Sequence, residues 1–457
     1  MHPYRRYARG LLLGTAVALL LSCGGGSGSG GATVGGLGAG ETPASAGSAS
    51  DPAGNGSGAG AGDAGAGGTG SGSASSAGGD TSTASNGSGS TDGSGVGSGG
   101  TGVSASAAGV GSADGLGSII LNGLRFNTDA ATVAIEDADA LEIGMSARIV
   151  GKVDSDFNSG VANDVVSAAE LRGAATAIDT AAGTFVVMGT TVSIDAGTVW
   201  GDASGLGDVT AGRIVQVWGL PGAPGSLRAT RVQTAPTRVD PLVTGTVQNL
   251  DLLGKTFMLG PLSVNYNAAP FASIDVPSLV NGRIVRVRGM LPPVAGVLAA
   301  TQVQGWYTFP VNDGLALQLA GVITDFGSQG EFRVLGTPID AAGAQITGGP
   351  ARSLGNGVKV EVDGFLSGGV LRVKKLRIRN VPGTGGPASF TLIGAIGAYQ
   401  SPASFRVRGQ KVDASVAGVV FENGTVANLG NGQRVTVSGD RVVDGVLIAQ
   451  RVTFAVP

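Results

Sequence analysis

A glycine-bounded frame that recurs five times constrains the fold of this chain more than any other feature of its sequence. In the second copy the frame reads Gly212-Arg-Ile-Val-Gln-Val-Trp-Gly219, and its first glycine recurs at 144, 282, 357 and 432. An apolar residue stands three positions before each of these glycines: Leu141, Val209, Leu279, Leu354 and Leu429. Self-similarity at a spacing of 68 to 75 residues indicates five tandem structural repeats.

Each repeat consists of short segments in which apolar and polar residues alternate. An opening segment, a segment with an aromatic residue, a short middle segment, the glycine frame and a closing segment follow one another in copies two to five. Alternation with period two, frequent Val, Ile and Thr, and flanking Gly, Asn, Asp or Pro predict β-strands. The first copy has no clear opening segment, as is common for a terminal repeat.

Five short strands in about 65 to 70 residues favour a small closed barrel, because closure removes the exposed edges of a flat sheet. The predicted fold is therefore all-β, a tandem array of about five small five-stranded β-barrels. The predicted repeats span 115–170, 171–236, 241–308, 317–382 and 390–457.

The N-terminus predicts export and lipid attachment. Three arginines precede an apolar run from Leu11 to Leu21, which is too short to span a membrane and is typical of a signal peptide, residues 1–22. Leu20-Leu21-Ser22-Cys23 resembles the bacterial lipobox, which implies cleavage before Cys23 and lipid on that cysteine. Gly24 follows, and resemblance to bacterial lipoproteins then implies sorting to the outer membrane, on its periplasmic face or at the cell surface.

Residues 23–114 read as the lipidated cysteine followed by a linker. The segment from Gly24 to Asp114 has 33 Gly in 91 residues and no Lys or Arg. Such a composition cannot bury enough apolar surface to offset the entropy of ordering, so we expect a disordered tether rich in Gly, Ser and Ala.

Composition excludes several classes of chemistry. The chain has one His, His2, and one Cys, Cys23, and both lie in the N-terminal signal region. Catalytic sites that need His or a free thiol, haem held by His, and His/Cys zinc sites are therefore excluded. The acids Glu361, Asp363 and their neighbours match no calcium loop. We expect no metal, no cofactor and no enzymatic activity.

The charge of the repeats argues against nucleic acid as a partner. Beyond residue 114 the chain has 26 basic and 26 acidic residues. Proteins that bind phosphate backbones concentrate positive charge instead. We expect the membrane as a partner, through lipid on Cys23, together with an envelope polysaccharide or a protein.

The repeats also carry a family resemblance. The lipobox, the Gly/Ser tether, the block Gly117-Ser-Ile-Ile-Leu-Asn-Gly123 and the repeat ending Leu-x-x-Gly-x-x-Val-x-Val-x-Gly are similar to bacterial lipoproteins with tandem copies of domain of unknown function 5666. The resemblance covers about residues 101 to 457. It implies small barrels similar to the oligonucleotide/oligosaccharide-binding (OB) fold, in exported proteins, and implies no activity.

Two groups of residues are candidate ligand contacts. Trp306 and Tyr307, in an aromatic-poor chain, either form a platform for sugar rings or pack neighbouring barrels together. Arg377 and Arg379 lie on one face of a strand in the densest basic run, which continues with Arg406, Arg408 and Lys411. These bases either contact an anionic lipid or polysaccharide or form a solvated barrel surface.

A repeated acid allows a further hypothesis. Asp195, Asp340, Asp413 and, in the first copy, Asn127 follow the second apolar segment of their repeats. A residue present at the same point of several copies is expected to accept a backbone N–H in a turn. Paired carboxylates could instead serve a carbohydrate-active enzyme.

The leading hypothesis is a row of five modules in a lipid-anchored envelope protein with a binding or spacer role. The alternatives are the carboxylate-dependent enzyme and a glycan-binding adhesin.

Overall fold

The computed structural model describes residues 104–380 and 389–456. The predicted signal peptide, the lipobox with Cys23, and residues 24–103 of the predicted linker lie outside the described residues. In the described part of the chain, each of five repeats contains six strands.

The strands of the first two repeats have the following bounds. Repeat 1 comprises β1 (Ala105–Leu116), β2 (Ile119–Leu121), β3 (Leu124–Asn127), β4 (Thr132–Ile135), β5 (Ser146–Val153) and β6 (Ser159–Ser167). Repeat 2 comprises β7 (Leu171–Asp179), β8 (Thr184–Val187), β9 (Thr190–Ser193), β10 (Val199–Trp200), β11 (Ile214–Pro221) and β12 (Ser226–Gln233).

The other three repeats follow the same order. Repeat 3 comprises β13 (Leu242–Asp251), β14 (Thr256–Leu259), β15 (Leu262–Asn265), β16 (Phe271–Ala272), β17 (Ile284–Gly289) and β18 (Val297–Gly305). Repeat 4 comprises β19 (Ala316–Ser328), β20 (Glu331–Val334), β21 (Thr337–Asp340), β22 (Gln345–Thr347), β23 (Lys359–Ser367) and β24 (Val370–Asn380). Repeat 5 comprises β25 (Phe390–Ser401), β26 (Ser404–Val407), β27 (Gln410–Asp413), β28 (Val420–Glu422), β29 (Arg434–Val443) and β30 (Val446–Phe454).

Short 3-10 helices connect the fourth and fifth strands of repeats 2 to 5: Leu206–Asp208, Val276–Ser278, Ala351–Ser353 and Val426–Asn428. No helix in residues 104–380 and 389–456 is long and apolar enough to cross a membrane.

The six strands of each repeat close into a barrel with five strand positions. In repeat 2, β7 pairs with β8 and β8 with β9, both antiparallel. Both β9 and β10 pair parallel with β12, one after the other along its length. The ring closes because β12 pairs with β11 and β11 with β7. The third position is thus one strand interrupted into two, which accounts for six observed strands in a five-stranded barrel.

The other repeats close in the same way, with every pairing present in repeat 1, repeat 3, repeat 4 and repeat 5. The predicted all-β tandem array of OB-like barrels is therefore confirmed.

Side chains of alternating strand residues fill the barrels. The second strands of repeats 4 and 5 alternate strictly between exposed and buried residues. The repeated aromatic side chains lie inside and are almost completely buried: Phe185, Phe257, Phe332 and Phe405. The apolar residue three positions before the glycine frame ends the 3-10 helix and is buried in repeats 2 to 5. It packs into the core of its own barrel.

The two glycines of the repeated frame have different structural roles. Gly357 has φ +86°, in the left-handed region that favours glycine, at the turn that leads into β23. Gly364 lies at a β-bulge between β23 and β24, where a Cβ would be 2.1 Å from the carbonyl oxygen of Arg372. The first glycine therefore allows a turn, and the second allows the close approach of two strands.

The first repeat begins earlier than the sequence predicts. Residues 105–114, assigned to the linker by composition, belong to β1, and the start of repeat 1 at 115 is therefore wrong. This strand is rich in Ala, Gly and Ser because it is buried and pairs with four other strands. At Gly111, for example, a Cβ would lie 1.8 Å from Oδ1 of Asn122. Small residues here reflect close packing, although their abundance in the sequence suggests disorder.

The barrels are not arranged as a row in sequence order. The first strand of repeat 1 pairs parallel with the first strands of repeats 4 and 5, along Ala107↔Ala316 to Val110↔Leu319 and at Gly115↔Thr391 and Leu116↔Leu392. The first strands of repeats 2 and 3 pair antiparallel. The hypothesis of a row is therefore wrong, because repeat 1 packs directly against repeats distant in sequence.

Candidate functional site

A buried polar cluster centred on Glu170 joins repeats 1, 2 and 3. Oε2 of Glu170 accepts hydrogen bonds from Ser146 Oγ at 2.8 Å and from the Gly219 N–H at 2.7 Å. Oε1 accepts from Trp306 Nε1 at 3.1 Å and pairs with Nη2 of Arg286 at 3.3 Å. The Arg286 guanidinium also lies over the Tyr307 ring, at 5.1 Å from its centroid. The Glu170 carboxylate therefore links three repeats, because each of them supplies a hydrogen-bond donor to it.

The same cluster contains Trp306 and Tyr307, which are only 6% and 5% exposed. The Tyr307 hydroxyl donates to the Ser146 carbonyl at 2.9 Å and accepts from the Ala168 N–H at 3.1 Å. Burial raises the pKa of Tyr307 to about 12 and that of Glu170 to about 7, although Arg286 and the hydrogen bonds oppose the shift. Both rings pack barrels together, and only the small exposed fraction of each lines a recess of about 270 Å³ between repeats 1, 3 and 4. Neither ring presents the open face that a sugar platform requires.

A second buried cluster surrounds Asp137 at the junction of the same repeats. Arg288 contacts both carboxylate oxygens of Asp137 at 3.0 Å, and Arg172 pairs with one of them. Arg172 also donates to Gln216 Oε1 at 2.6 Å, and Gln216 donates to the Asp137 carbonyl at 3.0 Å. Burial tends to raise the pKa of Asp137, but the two guanidinium groups hold it below its usual value.

The candidate contacts Arg377 and Arg379 lie at the junction of repeats 1 and 4. Their guanidinium groups donate to the two oxygens of Glu361, at 2.9 and 2.6 Å. Nη1 of Arg377 lies so close to the turn of repeat 1 that a Cβ at Gly123 would be 2.9 Å from it. Burial and the nearby Glu361 carboxylate together raise the pKa of Asp114 to about 7. Glu361 therefore accepts part of the hydrogen bonds that these two guanidinium groups can donate, which leaves fewer donors for a ligand.

Three further surface recesses lie between repeats, besides the one of about 270 Å³ that Trp306 and Tyr307 line. The largest is a cleft of about 940 Å³ between repeats 2, 3 and 4. Its lining includes Arg283, Gln248 and Asn249 of repeat 3 and Arg333 and Asp325 of repeat 4. The accessible apolar side chains of Val280 and Leu335 lie among these polar groups. Mixed apolar and polar lining at a junction between domains is typical of ligand sites.

The second recess is an apolar groove of about 390 Å³ between repeats 2 and 3. It is lined by Met188, Pro261, Pro292 and Pro293, among others. Beside it, the loop between β17 and β18 exposes several apolar side chains: Met290, Leu291 and Val294, each more than 70% exposed.

The third recess is a polar pocket of about 250 Å³ enclosed by repeats 1, 2 and 5. Arg231 of repeat 2 and Arg406, Arg408 and Lys411 of repeat 5 line it, together with Glu142 of repeat 1. The structure therefore divides the basic run: Arg377 and Arg379 lie at one junction and the other three bases at another. Within the described residues, no three His, Cys, Asp or Glu side chains form a group that could hold a metal ion.

Comparison with protein families identifies the repeats. The family described as Domain of unknown function (DUF5666) matches residues 109–165, 172–233, 320–375 and 393–453, together slightly more than half of the chain. The chain belongs to the DUF5666 family. No curated protein matches it.

The remaining repeat has the same fold as the matched ones. Repeat 3 falls outside the four matched segments, yet its strands close with the same pairings as those of the matched repeats. The match from residue 109 also includes residues 109–116 of β1.

The repeated acids of the DUF5666 domains form turns. In repeats 2, 4 and 5 the carboxylate accepts the backbone N–H two residues on, at 2.8 to 3.0 Å: Asp195, Asp340 and Asp413. Asn127 and Asn265 make the equivalent bond in repeats 1 and 3. The prediction of a turn former is confirmed at these positions.

Sequence reasoning missed the importance of Arg231 and Glu170. Both are buried, and both contact residues from other repeats. The sequence contains one signal, because a charged residue in an apolar strand is usually paired when it is buried. The partner could not be identified without the packing of the barrels.

Proposed function

We propose that this protein is a lipid-anchored component of the bacterial cell envelope, held at the outer membrane through Cys23, whose barrels bind a polar ligand without catalysis. The anchoring part rests on the resemblance of Leu20-Leu21-Ser22-Cys23 to a lipobox after a signal-like apolar run. Several acyl chains on one cysteine would give stable membrane attachment.

The observation that supports binding is the cleft between repeats 2, 3 and 4. Its volume, about 940 Å³, falls in the range of small-molecule and oligosaccharide sites. Among the hydrogen bonds between described residues, none involves the side chains of Arg283, Gln248 or Asn249. These groups are free to contact a ligand, and Val280, which is 51% exposed, and the partly exposed Leu335 provide apolar surface for the ring faces of a sugar.

The structural roles of the acidic residues support a function without catalysis. Asp195, Asp340 and Asp413 bind backbone N–H groups in turns, and Glu170 and Asp137 are enclosed at junctions. The acids that recur from repeat to repeat therefore serve the fold. We propose an envelope glycan as the ligand class, since sugars offer many hydroxyl groups to such a surface.

The anchor is tested by labelling cells with palmitate. We expect the label on the full chain to be lost in Cys23→Ala, and the variant protein to leave the membrane fraction. Unchanged fractionation of this variant would contradict the anchoring proposal and leave the binding proposal to its own test.

The cleft is tested on an array of envelope glycans with the full chain. We expect Arg283→Gln to weaken the strongest signal at least tenfold. Arg213→Gln is the matched control, because Arg213 holds the same position of the frame in repeat 2 and does not line the cleft. Equal signals for the two variants would exclude the cleft as the binding site. Turnover of a glycan, abolished by one Asp or Glu substitution, would instead favour an enzyme.

A further inference from the structure

We propose that the pocket enclosed by repeats 1, 2 and 5 is a binding site for a compact anion, a carboxylate- or phosphate-bearing group about the size of one sugar residue. This site is separate from the cleft and does not depend on the ligand proposed for it. Four cationic side chains and one carboxylate line its volume of about 250 Å³.

The base at the repeat 2 side of the pocket, Arg231, is only 3% exposed. Its Nη1 donates to the Ile143 carbonyl at 3.0 Å, and its Nη2 pairs with Glu142. Its Nε is buried and has no hydrogen-bond partner in the described structure. The guanidinium passes so close to the backbone that a Cβ at Gly201 would lie 2.8 Å from Nη2. A buried donor without a partner is costly, so the hydrogen bonding of this pocket-lining guanidinium is incomplete.

The bases on the repeat 5 side are placed by the hairpin of β26 and β27. Arg406 and Lys411 are direct cross-strand partners in this hairpin. Like charges in directly opposite positions destabilise a sheet. No ion pair among the described residues involves either side chain or Arg408. The arrangement keeps three positive charges together without a carboxylate of their own, which is the expected state of an anion site before it binds.

Arg408 is held at the pocket by an unusual backbone conformation. It has φ +53° and precedes Gly409, at φ +86°, in the turn of the hairpin. Its Nε donates to the Ile393 carbonyl at 3.1 Å, which orients the guanidinium group. Planar guanidinium groups can contact two oxygens of a carboxylate or phosphate at once.

The combination of three bases occurs only in repeat 5 among the five repeats, although repeat 1 has Arg125 at the position of Lys411. The corresponding hairpin of repeat 4 has Arg333, Leu335 and Pro338 where repeat 5 has Arg406, Arg408 and Lys411. Arg333 even keeps the turn bond of Arg406, since each donates through Nη1 to the carbonyl of the turn glycine. Repeats 2 and 3 form the same hairpin with Val186 and Met258 at the position of Arg406. The fold therefore requires none of these bases, and their combination in repeat 5 needs a different explanation.

The test measures binding of glucuronate, glucose 6-phosphate, glucose and inorganic phosphate to the full, detergent-extracted chain by calorimetry. We expect an acidic sugar to bind and glucose not to bind, with an affinity that falls as salt is added. Preference for glucuronate indicates a carboxylated glycan, and preference for glucose 6-phosphate or phosphate indicates a phosphorylated one. Failure of all three anions to bind at millimolar concentration would overturn the proposal.

Variants assign the binding to this pocket. We expect Lys411→Gln and Arg408→Asn each to weaken binding of the acidic sugar about tenfold or more. The matched control is Arg125→Gln, which removes one exposed base at the position of Lys411 in the hairpin of repeat 1. Arg125 lines neither the pocket nor the cleft, so this variant should leave binding unchanged. In the absence of ligand, Lys411→Gln should have an equal or higher melting temperature, because it removes the repulsion with Arg406. Equal binding by Lys411→Gln and Arg125→Gln would place the anion elsewhere and overturn the proposal.

Discussion

Two aspartates in repeat 1 show how neighbouring groups determine the pH dependence of stability. Asp114 lies in β1, where burial and the Glu361 carboxylate raise its pKa to about 7, against the opposing charges of Arg379 and Lys359. Asp154 lies in the turn after β5, where burial tends to raise its pKa but hydrogen bonds from Asn158 and its neighbours together lower it. The two carboxyl groups therefore affect stability in opposite directions.

We predict that Asp114→Asn stabilises the protein at alkaline pH. A pKa raised above the value of about 4 in the unfolded chain means that Asp114 contributes fully to stability below pH 4. That contribution is lost as pH rises through 7. Melting temperatures from pH 4 to 8 should therefore show a variant that is about 2–4 °C more stable at pH 8 and almost unchanged at pH 4.

Asp154→Asn provides the control of opposite sign. Because the pKa of Asp154 is lowered, its contribution is present above pH 4 and is lost as pH falls below that value. This variant should be less stable than the natural protein at pH 7 and approach it near pH 3. If Asp114→Asn were less stable than the natural protein at pH 8, burial of Asp114 beside the Glu361 carboxylate would not destabilise the fold, and the prediction would be wrong.

Among the elements, the strand that carries the glycine frame has two glycines with independent structural roles. Gly357 lies in the turn before β23 with φ +86°, and a Cβ added there would have no atom within 4 Å, so only its backbone conformation matters. Gly364 lies at the bulge, where a Cβ would contact the backbone of β24. Gly357 avoids strain in the backbone dihedral angles, and Gly364 allows a short distance between β23 and β24.

We predict that alanine at the two positions has different costs. Gly357→Ala should lower the free energy of unfolding by about 1 kcal/mol, the cost of a left-handed alanine. Gly364→Ala should lower it by about 3 kcal/mol, because β23 and β24 must separate to admit the Cβ. Urea denaturation of the two variants measures the difference, and equal midpoints would show that the bulge tolerates a side chain.

Across the whole molecule, β1 is the strand that connects the barrels. It closes repeat 1 with β5 and also pairs with β19 of repeat 4 and β25 of repeat 5. At Gly115 a Cβ would lie 2.2 Å from the Thr391 carbonyl oxygen. Disturbing this one position should therefore loosen repeats far apart in the sequence.

We predict that Gly115→Val increases hydrogen exchange in β1 and in β25 while β13 of repeat 3 stays protected. The contact between β1 and β25 is broken, whereas β13 pairs with β7 and β17. Gly205→Val is the control, because Gly205 has an extended backbone and open space around it. Faster exchange confined to β1 would show that the repeats are not coupled through this strand.

Local sequence was sufficient to predict the repeat, the strands and the closed barrel. Alternation around Phe405, the glycine turns and the acid at Asp413 depend on backbone geometry over a few residues, so each is visible locally. The same local reasoning failed for β1, since small residues selected for close packing have the composition of a linker.

The contacts between repeats, by contrast, are decided by the packing of distant segments. These contacts can be seen only in the folded molecule. Arg231 and Lys411 are far apart in the chain, and they line one pocket because repeats 2 and 5 pack together. Trp306 and Tyr307 are buried for a similar reason, through contacts with repeats 1 and 2. Such contacts depend on complementary shape and charge between distant segments. The alternation of apolar and polar residues and the types of turn residue do not encode this complementarity.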